Sequence, residues 1–298
     1  MEKKTNIATV ILFWAALAVL SLGSLLKKDG LFSENENRSL TQRPSLSLTT
    51  VLDGSFQEEL ESYLQDQILF RDGWNALHSA ALLAIGDCDI NGAYVGEAGY
   101  DFEKITEADV DQKRFHTNTR AIRIFLERQQ QNLGKGKVSF MLVPTAARLL
   151  PEMVPDGAPL FDQDRRMDEL FGQLKGFRTV DLRKVFGEAA DGKDLYYYTD
   201  HHWTTHGAYL AYASWRKNAP KESDYEVSVV SDRFRGSLYS KVLNENSPWD
   251  TVERFDLKGG EEAYTVFAGD DKLDGLYDET KLKEKDKYAY FLGGNVGL

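Results

Sequence analysis

Between Asn6 and Leu26 the chain reads NIATVILFWAALAVLSLGSLL, without one charged residue, bracketed by Lys3 and Lys4 before it and Lys27 and Lys28 after it. As a helix rising about 1.5 Å per residue, this run spans roughly 30 Å, the thickness of a bilayer core. It is longer than the apolar region of a cleaved signal peptide and has no clean small-x-small cleavage site, so an uncleaved anchor is expected. The flanking lysines balance, so the positive-inside rule does not fix the orientation. With so short a tail in front, everything after Leu26 is expected outside the cell. The expected organisation is a cytoplasmic tail over 1–5, an anchor over 6–26, a stalk over 27–50 and one α/β domain over 51–298.

The 298 residues, 42% hydrophobic and 28% charged, suffice for one sizeable core. A net charge of -11 argues against a nucleic-acid partner, whose phosphates would be repelled. The single cysteine, Cys88, excludes a disulfide framework and a multi-cysteine zinc site. Nothing in the sequence asks for a cofactor.

After the polar SENENRSLTQRP, helical spacing recurs at Phe56, Leu60, Tyr63 and Leu64, and again over Trp74 to Ile85, closed by Gly86. NGAYVGEAGYDFEKI has the turn residues of a hairpin. A helix is expected over Glu107 to Leu133, with Ile122, Phe125 and Leu126 on one face and Gly134 as its stop. KVSFMLVP then looks like a strand buried on both faces, and Asp162 caps a helix carrying Met167, Leu170, Phe171 and Leu174. FRTVDL supplies the next strand, and strand–helix alternation is the grammar of a parallel sheet. YEVSVVS, YTVFAG and YAYFLGGNVGL read as further strands, KLKEKDK as a solvated charge run. Because the last of these strands and its Gly-rich turn have no crossover helix after them, further sequence is expected.

Residues 196–206, YYYTDHHWTTH, hold three of the five histidines. Thr204 or Thr205 caps the helix that follows, so the cluster lies on a strand-to-helix turn, where open α/β sheets bind ligands. On an extended backbone Asp200 and His202 share a face and His201 points the other way. Such a carboxylate can accept from the imidazole Nδ1, fix its tautomer and stabilise the imidazolium formed when Nε2 takes a proton. The same pair could instead cap the helix structurally. A metal reading would use His202 and His206 with Asp200, but the threonine caps start the helix after residue 202, and no glutamate stands by as base. No metal is therefore expected. Ser237 and Ser240 in RGSLYS have no apolar strand running into them, so a nucleophile elbow is not expected there.

TDHHWTTHGAY resembles the signature of the DHHW protein family, related to the alginate O-acetylation proteins and their SGNH-hydrolase-like domain. ENRSLTQRPSL, FQEELESYLQDQILFRDGW, NGAYVG, FMLVPTAARLLPE, FRGSLYSKV and YAYFLGGNVGL are similar to segments of that family. The resemblance implies a three-layer SGNH-hydrolase-like α/β fold, an extracytoplasmic place on a bacterial cell, and acyl transfer to a surface polysaccharide, with a membrane-bound acyl-donor protein as a further partner. It assigns the acid-base pair to Asp200 and His202 and implies a serine on a later segment, which the printed sequence does not supply. The Gly-Asp-Cys of AIGDCDING is similar to an SGNH nucleophile turn, but its position at a helix end favours a packed cysteine. Tyr198, Trp203 and Asn295 are the candidates for substrate contact, since aromatic rings stack on sugars. The expected activity is O-acyl transfer or ester hydrolysis. A non-catalytic glycan- or partner-binding protein of the same fold and a metal-dependent hydrolase are the alternatives.

Overall fold

Helix α1 (Glu2–Leu26) carries the apolar run, and its Ile7–Leu26 stretch is long and apolar enough to cross a membrane. The computed structural model describes residues 2–36, 38–189, 195–260, 264–268 and 271–294. The chain divides into two units, Met1–Ile85 with Leu243–Glu245, and Gly86–Val242 with Asn246–Leu298. The division thus falls at Gly86 and not at residue 50.

In the first unit the expected stalk is folded. Strands β1 (Phe32–Ser33) and β2 (Arg38–Ser39) pair antiparallel, and α2 (Leu48–Leu52) starts on a Ser47–Thr50 capping box. The two strands are held to α3 (Ser55–Gln67) by its last two residues. Buried Asp66 takes a two-pronged bond from Arg38, 2.9 and 2.6 Å, and a third from the Thr41 amide at 2.8 Å. The neighbouring guanidinium of Arg38 holds the Asp66 carboxyl well below its usual range. Gln67 accepts from the Gly30 amide and donates to the Gly30 and Thr41 carbonyls. Such ties over about 25 to 37 residues leave no trace in local periodicity. Helix α4 (Arg71–Ala84) follows at once, turned by Phe70 in the left-handed region at φ 59°.

In the second unit β3 (Asp89–Ile90), β4 (Ala93–Val95) and β5 (Asp101–Glu103) form the expected antiparallel hairpin and its extension. Asn91 and Gly92, both at positive φ, make the tight turn that matches strand twist. Helix α5 (Gln112–Leu133) is capped by Asp111 and preceded by a separate 3₁₀ turn at Glu107–Asp109, which takes the first turn of the expected helix. Leu126 is buried on it and Ile122 packs alongside, whereas Phe125 is exposed, so the apolar face is narrower than expected. Then β6 (Ser139–Leu142), α6 (Ala146–Leu149), α7 (Gln163–Gln173) and β7 (Arg178–Asp181) build one parallel β–α–β unit, β6 pairing in register with β7. The side chain of Asp162 caps α7 as its sequence position implies. β6 is half-buried, not fully covered, because its sheet is two strands wide among the described residues.

Helices α8 (Leu182–Ala189) and α9 (Thr205–Trp215) follow, then β8 (Tyr225–Phe234), α10 (Ser237–Val242) and β9 (Asp250–Leu257), with β8 and β9 a long irregular antiparallel ribbon. Strands β10 (Thr265–Ala268) and β11 (Asp271–Asp274) make a last hairpin. The sequence YAYF is not a strand: Lys287–Tyr290 is a 3₁₀ turn that buries Ala289 and Tyr290, and Phe291 keeps one bridge to Tyr277. The main core gathers Tyr94, Phe102, Leu182, Phe186, Leu195 and Tyr196, and a second cluster gathers Tyr197, Phe234 and Val252. Consecutive tyrosines enter different clusters, as alternation along an extended backbone requires.

Candidate active site

The histidine segment is a small hairpin, not a continuous strand. Thr204 N–H donates to the Leu195 carbonyl, Tyr196 bridges Trp203, and Tyr197 N–H donates to the His202 carbonyl. Residues 198–202 therefore form a loop. Its far leg runs into α9, where Thr204 accepts from the Gly207 amide as N-cap. Two clamps fix the loop. Buried Asp250, at the start of β9, accepts from the Tyr198 amide at 2.7 Å, the Thr199 amide at 2.9 Å and the Thr199 hydroxyl at 2.5 Å. The Thr199 carbonyl in turn takes the first amides of α10, from Leu238 and Tyr239.

Asp200 is 3% exposed and receives four donors. His202 Nδ1 lies 2.5 Å from Oδ1, the His202 amide 2.9 Å and the Tyr288 hydroxyl 3.1 Å from the same oxygen, while the Ser237 amide reaches Oδ2 at 2.7 Å. Burial alone would raise this carboxyl, but the bonds from His202 and the Ser237 amide outweigh it and hold it at about 2. The hydrogen bond to Asp200 raises His202, although partial burial opposes it. Gly236 explains how the Ser237 amide comes so close: a Cβ there would stand 2.1 Å from Asp200 Oδ2.

His201 does not face away. Because the loop abandons strand geometry, its ring stacks on that of His202 with centroids 3.9 Å apart, and its Nδ1 lies 2.7 Å from the Ser237 hydroxyl. Both histidines line a cleft of about 330 Å³ together with Asp101, Phe102, Pro144, Thr145 and Trp203. Val143 and Pro144 continue directly from β6, so the cleft opens at the carboxyl end of a parallel strand, where α/β sheets place ligands. Asp101, on β5, is also fully buried there. One of its oxygens has no partner, and burial first, then the nearby Asp250 charge, pushes the carboxyl up to about 7.

The other expected site residues divide. Trp203 lines the cleft and packs its ring edge-on to Phe186. Tyr198 stacks on Tyr100 and lines a different cleft, of about 410 Å³, with Trp249 and Phe255. His206 belongs to that second cleft, with its Nδ1 3.7 Å from Glu222, so the trio Asp200, His202 and His206 is not assembled as a metal site. Asp200, His201 and His202 do offer ligand atoms within 4.8 Å of one another. That trio fits an ion poorly, because Asp200 already holds four donors and one of them is the His202 nitrogen. Asn295 lies outside the described residues.

β8 ends at Phe234 and α10 begins at Ser237, but the strand is largely exposed and carries Ser231, Asp232 and Arg233 just before its last residue, so no apolar strand runs straight into the serine. The serine is bonded to His201, and it is not among the residues with positive φ. Among the described residues no serine hydroxyl bonds His202. Gly236, Asp250 and Tyr288 were not legible as site residues. Their contacts with the loop bridge about 36 to 88 residues, and the sequence signals were the family-like FRGSLYSKV, which holds Gly236, and YAYFLGGNVGL, which begins at Tyr288.

A buried carboxylate orienting a histidine lies beside the parallel pair, within a region that matches an SGNH-hydrolase-like α/β domain. The family described as ALGX, the SGNH hydrolase-like domain of the acetyltransferase AlgX, matches residues 100–229, which include Asp200 to Trp203 and stop before Ser237. The fold is similar to that of Bacillus cereus PatB1, at 16% identity and a TM-score of 0.51, over 65% of this chain and 70% of that one. Two further solved structures resemble the chain at 17% identity. A DHHW family protein from Eubacterium siraeum has a TM-score of 0.49, with 69% of each chain covered. The O-acetyltransferase domain of Pseudomonas putida AlgJ has a TM-score of 0.47, over 58% of this chain and 67% of that domain. No curated protein sequence matches.

Proposed function

We propose that the protein is a membrane-anchored, extracytoplasmic O-acyltransferase or acetyl esterase acting on a cell-surface polysaccharide. In this reading Asp200 orients His202, whose Nε2 takes the proton from a serine hydroxyl and returns it to the leaving group. The observation that carries it is the 2.5 Å bond between Asp200 and His202 Nδ1, made by a carboxylate that its donors keep ionised against the cost of burial. The match to an acetyltransferase domain family supports acyl transfer as the chemistry. The apolar Ile7–Leu26 helix supports the anchor, and the presence of Trp203 in the cleft lining supports a sugar as the ligand. A membrane-bound acyl-donor protein would supply the acetyl group.

The test is turnover of an aryl acetate, with and without an oligosaccharide acceptor, by a version extended past Leu298 that supplies the implied serine. His202→Ala is expected to lower it by roughly 10³-fold, the scale for loss of a triad member. Unchanged turnover would sink the assignment. The absence of any described serine hydroxyl on His202 favours one second reading, a non-catalytic protein that binds glycan through the same cleft. It predicts saturable binding of the polysaccharide with no ester turnover, and turnover that His202→Ala removes rules it out.

A further inference from the structure

Helix α4 is built inside out. Its one fully buried side chain is Ser79, while Phe70, Trp74 and Leu77, spaced i, i+4 and i+7, are 71%, 43% and 59% exposed. Ala81 continues the same exposed stripe. Phe70, the most exposed of the three, sits at φ 59°, a conformation that costs a bulky residue energy and persists where the surroundings impose it. A soluble surface gains nothing from this arrangement.

The contacts of the α3–α4 corner say what covers it. Leu69 N–H donates to the Ser24 hydroxyl at 2.9 Å, across the last turns of α1. The Leu69 side chain lies so close to Gly23 that a Cβ there would come within 2.7 Å of it. Trp74 Nε1 donates to the Leu69 carbonyl at 3.0 Å, which ties the indole to the same corner. Ser24 is two residues, about 3 Å along the axis, from the end of the Ile7–Leu26 apolar run. The corner is thus level with the place where hydrocarbon would give way to headgroups.

We infer that Phe70, Trp74 and Leu77 insert into the interfacial layer of the same bilayer that α1 spans, so that this first unit is a lipid-seated collar and not a free stalk. A tryptophan whose N–H is already satisfied and whose side chain is still partly exposed suits that layer, and Lys27 and Lys28 follow directly after the span. The occupant is lipid, because Leu69, which takes the bond from Trp74, is itself bonded to Ser24 and packed on Gly23 in the last turns of α1. The inference rests on the reading of Ile7–Leu26 as a membrane span.

The experiment uses the full chain in phosphatidylcholine nanodiscs, with Cys88→Ser as background and single spin labels on Phe70→Cys, Leu77→Cys and, within the span, Leu17→Cys. Leu77→Cys reports the face without disturbing the left-handed residue. Labels at 70 and 77 are expected to collide severalfold more with oxygen, and severalfold less with a water-soluble nickel chelate, than free label does. Water-like collision rates at 70 and 77 with a lipid-shielded label at 17 would overturn the collar and leave the span standing. A water-exposed label at 17 would overturn both. Strong label-to-label broadening at 77 without oxygen enrichment would assign the face to a second copy and overturn the lipid assignment.

Discussion

The two units spend their polar and apolar residues in opposite ways. The first buries Asp66, Gln67 and Ser79 and leaves Phe70, Trp74 and Leu77 outside. The second packs its tyrosines, phenylalanines and leucines inward and buries carboxylates at Asp101, Asp200 and Asp250, all at one loop and its cleft. In the first unit Asp66 and Gln67 bond Gly30, Arg38 and Thr41 and fix the path of the chain, which is a structural use, while the buried Ser79 hydroxyl has no partner. In the second, one buried carboxylate hands its charge to a half-exposed imidazole and another keeps an unpaired oxygen, which is the pattern of groups held ready for chemistry.

The sharpest way to break this contrast is Gly236→Ala. The added methyl would overlap Asp200 Oδ2, so the carboxylate must withdraw from the Ser237 amide and turn His202 with it. Turnover is expected to fall roughly 10³-fold, about 4 kcal/mol of barrier, and the melting temperature to fall with it, since the overlap also reaches the buried Asp200 Cβ at 2.3 Å. Retained turnover would mean that the loop is only structural. The mirror experiment is Asp66→Asn. The amide keeps the shape but loses the charge-assisted bonds to Arg38, and because Arg38 is itself part-exposed the loss is expected at about 2 kcal/mol. Amide hydrogen exchange should report it over residues 30–67. No change there would show that the clamp is ornamental to the first unit.

These two variants also mark what the sequence reveals and what it hides. Helix caps at Asp162 and Thr204, the parallel pair β6–β7 and the Asp–x–His spacing were all legible, because each is set within a few residues. His201 was placed on the wrong face because nothing local announces that 195–204 folds back on itself, and one residue more or less in a turn exchanges faces. The donors from Ser237 and Tyr288 were hidden for a plainer reason. A hydrogen bond across 37 or 88 residues is fixed by the packing of the whole unit, of which one sequence records no local period. The clamp on residues 30–41 was missed in the same way, since a polar segment with no periodicity is equally the description of a linker.

A smaller effect separates support from chemistry within the site. Tyr288 gives Asp200 Oδ1 its most distant donor at 3.1 Å, competing for the oxygen that His202 uses. Tyr288→Phe is expected to cost about 1 kcal/mol, roughly a fivefold loss of turnover, with a modest loss of stability. A loss as large as that of Gly236→Ala would promote Tyr288 from a positioning residue to a catalytic one.

The smallest expected shift is the most diagnostic, because it reads the pair directly. His202 is raised above its ordinary value by its bond to Asp200, so the stability it contributes is fully present below about pH 6.5 and fades as pH climbs through the raised value. Asp200 is depressed to about 2, so its contribution is present above about pH 4 and is lost as acid carries the pH down towards 2. Both terms are therefore in force together between about pH 4 and 6.5, where the pair exists as carboxylate and imidazolium. A general base must be neutral, so turnover should instead rise as the pH passes the raised His202 value. Asp200→Asn removes the charge that raises it, and the His202 midpoint followed by NMR should then move down towards 6.5, with turnover much reduced. Since half of the imidazole meets solvent, the displacement will be moderate, but its direction is fixed by the bond. A midpoint that does not move would show that the 2.5 Å contact carries no electrostatic coupling in solution, and the proposed base would lose its orienting partner.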